Sequence, residues 1–224
     1  MMRQLVALAG GSLALAAGSA FGGMMTLHTA PDGDCEYYWN SKYSGQWSYT
    51  TGQPSAGIYL YFGAPYGNDH TVVIFEVPIA PLAGLPLTGA TLQFNAPNGF
   101  DTNYFYGQAD MGWLDVDGAT GDVVADGMGV PARGRPGEFD VWDSDWGLGS
   151  MAGLHSYDVL TCVQADLAAG RTHSTFVLHG SRETFGGIST AESGQGPAIL
   201  ATYVPAPGAI ALAGLAAVAS RRRR

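Results

Sequence analysis

Apolar and polar residues alternate with period two at several places between residues 58 and 204. In Ala90-Thr91-Leu92-Gln93-Phe94-Asn95, one face takes Ala90, Leu92 and Phe94 and the other takes Thr91, Gln93 and Asn95, the pattern of a half-buried strand. Residues 174–180 repeat it, with Phe176 and Leu178 set against Thr175, Val177 and His179. Residues 198–204 group Ile199, Ala201 and Tyr203. Residues 70–77 are more continuously apolar, as in a central strand. Weaker strands are predicted at 58–62, 104–107, 112–116 and 122–125. The connections Tyr66-Gly67-Asn68-Asp69, Pro97-Asn98-Gly99 and Asp117-Gly118-Ala119-Thr120-Gly121 carry turn chemistry. Many short strands spaced by such turns predict an all-β fold, a sandwich or barrel.

One segment keeps a different period. Val159, Cys162, Val163 and Leu167 form a single apolar stripe at helical spacing, and Gly170 stands where a glycine ends a helix. This short helix is expected to plug one end or edge of the sandwich, with Cys162 facing the core.

Both ends break from the pattern. Residues 1–22 run from Arg3 through an apolar stretch, residues 5–18, to Ser19-Ala20-Phe21-Gly22. A basic start, an apolar centre and small residues near a cleavage point make an export signal peptide. At the other end, Pro205, Ala206, Pro207 and Gly208 precede an apolar run, residues 209–219, and then Ser220 and Arg221, Arg222, Arg223 and Arg224. The run is shorter than the roughly 20 residues that span a bilayer comfortably. The arginines would hold its end at the cytoplasmic face, and the prolines leave an extended, protease-accessible stretch outside it. The folded body is therefore expected at residues 23–204, and the tail at 205–224.

Charge sharpens the division. Of ten Lys and Arg residues, Arg3 and the four terminal arginines lie outside the body, so all 19 Asp and Glu residues face only five basic ones there. Such a surface repels nucleic-acid phosphates and anionic lipid headgroups. No nucleic-acid partner is expected.

Candidate chemistry is sparse. No nucleophile elbow, His-Glu-x-x-His helix or phosphate loop is present. The five histidines, His28, His70, His155, His173 and His179, are scattered. Asp115, Asp117 and Asp122 have the composition of a calcium loop, as do Asp140, Asp143 and Asp145, and Asp32, Asp34 and Glu36. Hairpin turns use Asp and Gly for backbone reasons alone, so calcium and plain turn chemistry both stay open. Trp39 and Trp47 lie in an aromatic-rich segment, and Trp142 and Trp146 bracket a polar one. Flat rings of this kind suit carbohydrate, and equally suit core packing. Cys35 and Cys162 leave two readings: one disulfide, worth up to about 4–5 kcal/mol in the loop-entropy account, or two separately buried thiols.

Two resemblances add to this. The tail, Pro205-Ala206-Pro207-Gly208 with its apolar run and arginine cluster, resembles the PEP-CTERM sorting signal of Gram-negative bacteria, also catalogued as an ice-binding-protein C-terminal segment. Ala206 stands where that family more often has Glu. The resemblance implies translocation by the Sec translocon, transient anchoring in the inner membrane, processing by an exosortase, and delivery to the cell surface, outer membrane or extracellular matrix. The body carries no repeated Thr-x-Thr ledge of an ice-binding face. It shows Phe75-Glu76-Val77, residues 87–92, then Tyr157-Asp158-Val159, Val163, Leu167, Gly170, Phe176-Val177-Leu178, Ser189-Thr190-Ala191-Glu192 and Pro197-Ala198-Ile199-Leu200. In this order they resemble the DNRLRE-type domain, which implies a jelly-roll-like β-sandwich related to carbohydrate-binding modules. Two functions are therefore expected: a non-enzymatic surface or matrix protein binding extracellular polysaccharide, or a secreted polysaccharide hydrolase or lyase.

Overall fold

The computed structural model describes residues 22–40, 47–63, 67–101, 109–125, 142–148, 152–180 and 184–204. Its strands, in chain order, are β1 (Gly23–His28), β2 (Asp34–Asn40), β3 (Trp47–Thr50), β4 (Ser55–Gly63), β5 (Gly67–Pro78), β6 (Leu87–Ala96), β7 (Phe100–Asp101), β8 (Ala109–Leu114), β9 (Trp142–Leu148) and β10 (Gly153–Asp158). Helix α1 (Leu160–Ala168) follows, then β11 (His173–Gly180), β12 (Thr184–Ser189) and β13 (Ala198–Tyr203). All pairings are antiparallel. The described body is an all-β unit with one α-helix.

The strands form two sheets. A four-stranded sheet has the order β1-β13-β6-β10, and a nine-stranded sheet runs β7-β12-β4-β5-β11-β8-β9 with β2 and β3 attached beside β5. The long strand β5 is the hub. Residues 69–75 pair with β2 along one edge, while β4 and β11 share the other edge end to end. Inward residues of both sheets meet in one core that includes Val73, Phe75, Leu92, Phe94, Phe176, Leu178 and Ile199. Phe75 packs against Phe176 with ring centroids 5.7 Å apart and against Phe94 at 6.4 Å. Burial alternates along β6 as its sequence pattern requires, with Ala90, Leu92, Phe94 and Ala96 inside.

A second, smaller cluster explains the continuous apolar run in β5. Val72, Ile74, Leu114, Val123 and Val177 gather apart from the inter-sheet core, with Val116 and Val124 against them. The segment after β8 supplies this cover, so β5 is buried on both faces. Among the bonds that hold it are Val123 N–H to the Asp32 carbonyl at 3.1 Å, Gly121 N–H to Glu76 Oε2 at 2.8 Å, and Thr172 Oγ1 to the Ala119 carbonyl at 3.3 Å.

Three local expectations change. Residues 122–125 form a turn, not a strand, because Val123 serves as a plug and Asp122 Oδ1 accepts the Ala125 N–H at 2.9 Å. The strand expected at 112–116 ends at Leu114, where the chain leaves the sheet to cover it. Gly67, Asn68 and Asp69 belong to β5, paired with Gly63, Phe62 and Tyr61, rather than to the turn. The strand expected at 104–107 lies outside the described residues, as do the signal peptide through residue 21 and the tail from Pro205. Among the described residues no helix is long and apolar enough to cross a membrane.

Candidate functional site

Helix α1 ends as its glycine predicts. Gly170 takes φ 78°, its N–H reaches the Leu167 carbonyl at 3.1 Å, and the Arg171 N–H reaches the Asp166 carbonyl at 2.9 Å. These two bonds make a Schellman motif. The motif folds Arg171 back beside Asp166, three residues beyond Val163 and inside the helix's apolar stripe. Asp166 is buried, yet fully engaged. Its Oδ2 accepts Trp113 Nε1–H at 2.9 Å and Ser174 Oγ–H at 2.5 Å, and its Oδ1 accepts Arg171 Nη1–H at 2.8 Å. Arg171 also meets Asp115 Oδ1 at 2.5 Å through Nη1 and Asp117 Oδ1 at 2.8 Å through Nε. Burial alone would lower the guanidinium's pKa, but hydrogen bonds to Asp166, Asp117 and Asp115 outweigh it and hold the group above its ordinary range. For Asp166 burial wins: the carboxyl stays above its usual value although Ser174, Arg171 and Trp113 pull it down.

This node bears on the calcium loop. Asp115 and Asp117 turn onto Arg171, and Asp122 closes its own turn. Among the described residues no three His, Cys, Asp or Glu side chains form a group that could hold a metal ion. The loop's negative charge is met by a guanidinium, a contact that composition alone does not show. Of the other acidic groups, Asp32 gives its carbonyl to Val123; Asp140 and the side chains of Asp143 and Asp145 lie outside the described residues.

Asp34 and Glu36 lie two residues apart on β2, paired with the core residues Phe75 and Val73. Asp34 Oδ2 accepts the Ala191 N–H at 2.8 Å, and Glu36 Oε2 accepts the Gly57 N–H at 2.6 Å. Burial, partly offset by the Ala191 N–H and reinforced by Glu192, raises the Asp34 carboxyl to about 6. Glu36 borders an open cleft of about 320 Å³ lined also by Gly57, Pro97, Asn98, Gly186 and Gly187.

A second groove, of about 340 Å³, crosses the outer face of the four-stranded sheet. Thr26 and His28 enter it from β1, Gln93 and Asn95 from β6, Leu154 from β10, and Gln195 from the turn before β13. The turn stands up as a wall because Gly194 takes φ 73°, Ser193 Oγ bonds the Thr190 carbonyl at 2.7 Å, and Gln195 N–H bonds Ser193 Oγ at 3.1 Å. Asp34 ties the same turn to β2 through Ala191. Asn95 Nδ2 donates to both Ser189 Oγ and Gln195 Oε1 at 3.1 Å, and Gln93 Nε2 donates to Ser156 Oγ at 3.3 Å. The period-two pattern had set Gln93 and Asn95 on the outer face. The wall came from distant residues and left no mark near them in the sequence.

The tryptophans separate into two places. Trp39 and Trp47 are direct partners across β2 and β3, beside the Tyr37–Tyr49 pair. Trp142 pairs with Leu114 and Trp146 with Met111. Leu114 belongs to the outer cluster and Met111 to the inter-sheet core, because the two lie three residues apart on β8 and so face opposite sides of the sheet; the β8–β9 ladder shifts register between Gly112 and Leu114. The side chains of all four tryptophans lie outside the described residues. Cys162 is buried in the inter-sheet core, whereas Cys35 pairs with Ile74 of the outer cluster; the Cys35 side chain is outside the described set. The sorting residues Pro205, Ala206, Pro207, Gly208 and Arg221–Arg224 are outside it too. His155 is a packing residue, stacked on Phe94 with centroids 5.4 Å apart.

No protein-family model matches the chain, and no curated protein matches it.

Proposed function

We propose that this chain is an exported, exosortase-processed protein of the cell surface or extracellular matrix, whose body binds polysaccharide without cleaving it. The single observation that carries export and sorting is the order of signals at the two ends: signal peptide, Pro205-Ala206-Pro207-Gly208, apolar run, arginines. A body with 19 acidic and five basic residues suits a solvated extracellular setting. Two antiparallel sheets around one core fit a jelly-roll-type sandwich, an architecture shared with carbohydrate-binding modules. Fold alone does not set function, so the binding half leans on the uncharged groove.

Localisation tests the first half. A chain tagged internally is followed through cytosolic, inner-membrane, surface and medium fractions, beside a chain truncated after Val204. The full chain is expected to pass through the inner membrane, lose its tail and reach the surface. The truncated chain is expected in the periplasm or medium. Intact full-length protein in the cytosol would sink the reading.

The alternative, a hydrolase or lyase, would draw on Glu36, which borders the glycine-lined cleft, and on Asp34 two residues before it on β2. Two carboxylates can divide acid and base roles when their environments separate their pKa values. Asp34, however, is 2% exposed and committed to Ala191. Reducing-sugar release from a glycan panel, lost in Glu36→Gln, would favour the enzyme.

A further inference from the structure

We propose that the groove on the outer face of the four-stranded sheet is a binding site for a single chain of neutral polysaccharide; the proposal rests on the polysaccharide-binding reading above. The first argument is charge. The body is strongly acidic, yet Thr26, His28, Gln93, Asn95, Leu154 and Gln195 bring no carboxylate, lysine or arginine into the groove. A polyanion finds no cation there to pair with, and a polycation finds no anion. A neutral polymer of hydroxyl groups loses nothing by entering.

The second argument is the type and fixing of the polar groups. Sugar hydroxyls can donate, so they match planar amides that hold a carbonyl oxygen toward the groove. Asn95 spends its Nδ2 hydrogens on Ser189 and Gln195, which leaves Oδ1 as an acceptor and fixes the orientation of both amides. Gln93 spends Nε2 on Ser156, which leaves Oε1 as an acceptor. Amides held this way lose little freedom when a ligand arrives. Leu154, 67% exposed and directly opposite Asn95 in the β10–β6 register, supplies the apolar spot on which a sugar ring's C–H face rests.

The third argument is shape. In register, His28, Ala198, Gln93 and Ser156 form one row across all four strands. Three strand spacings make that row about 14 Å long. Gly194, Gln195 and Gly196 of the turn before β13 border the groove beside that row.

The test uses purified full-length protein in detergent. Its retention is measured on the neutral polymers xylan, dextran and cellulose, and on the anionic polymers alginate and polygalacturonate, at low and high salt. Neutral polymers are expected to retain it, with little salt dependence. Leu154→Asp, at an exposed site that tolerates a charge, is expected to weaken retention at least tenfold, and Gln93→Ala several-fold, with unchanged circular dichroism. Retention that both variants leave intact would overturn the groove and leave the polysaccharide-binding reading standing. Retention on anionic polymers alone would do the same. Absence of retention on every polymer would overturn both.

Discussion

Replacing Arg171 by leucine removes the guanidinium that pins the covering segment to helix α1 while keeping much of the apolar bulk of the arginine stem. The Asp166 side chain is 1% exposed and keeps only Trp113 and Ser174 as donors in the variant. Removing one partner of a buried ion pair costs about 3–5 kcal/mol, because the other charge stays buried without compensation. Asp115 and Asp117 are 46% and 85% exposed, so freeing them adds at most about 1 kcal/mol each. A loss of about 3–5 kcal/mol is expected at neutral pH. The pH dependence gives a sharper check. Burial holds the Asp166 carboxyl above its usual 3.8, while hydrogen bonds from Ser174, Arg171 and Trp113 and the charge of Arg171 pull it down. An aspartate whose folded pKa lies above its unfolded one costs stability as pH rises through that window. Without Arg171 the folded value climbs further, so the window widens upward. The gap between wild type and Arg171→Leu should be widest at pH 8 and shrink on acidification to pH 5. Urea unfolding followed by circular dichroism and tryptophan fluorescence measures both. A loss below about 1 kcal/mol, or an equal gap at the two pH values, would refute the buried-charge argument. Arg171→Lys, which keeps the charge but not the fork of nitrogens, should fall between the two.

Two further perturbations follow from the same bookkeeping of burial and backbone. Burial raises the Asp34 carboxyl to about 6 in the folded protein, against 3.8 when free, so its penalty is absent well below pH 3.8, grows between there and pH 6, and is full above. Asp34→Asn keeps an acceptor for the Ala191 N–H; its advantage over wild type should be smallest at the acid end and reach about 2–3 kcal/mol at pH 8. A difference that does not grow with pH in urea titrations would contradict this. Gly121 sits at φ +90°, and an added Cβ would lie 2.9 Å from His173 Nε2, whereas Gly84 at φ +75° has open space around it. Gly121→Ala should therefore lose more than the roughly 1–2 kcal/mol of left-handed strain that Gly84→Ala alone suffers. Equal thermal shifts for the two variants would show that the covering segment yields freely.

The pattern of side chains along the chain marked β4, β5, β6, β8, β11, β13 and the helix, because these are local, but it left β1, β2, β3, β7, β9, β10 and β12 unmarked. Period two in residues 90–95 and 174–180 sorts residues onto two faces before any partner is chosen; β6 buries the face so assigned, whereas β11 buries both, Phe176 and Leu178 in the inter-sheet core and Thr175 and Val177 on the other side. The stripe from Val159 to Leu167 and the glycine at 170 likewise set α1 and its end. Charge segregation and the two termini are also sequence properties, and the proposed export rests on them. The rest was decided by distance in space. Asp166 sits at three and four residues from Val163 and Cys162, within the stripe; its position hinted at burial, but its partners Trp113, Ser174 and Arg171 come from separate segments. The same contact gave Asp115 and Asp117 a guanidinium, which no reading of their own loop could supply. Residues 122–125 look like a strand because Val123 and Val124 are apolar, but burial against an existing sheet satisfies them as well as pairing does. The groove shows the limit most clearly. Gln93 and Asn95 are outward by local alternation, yet the wall beside them arrives from about 100 residues away, and only packing two sheets and a turn together makes a surface into a site.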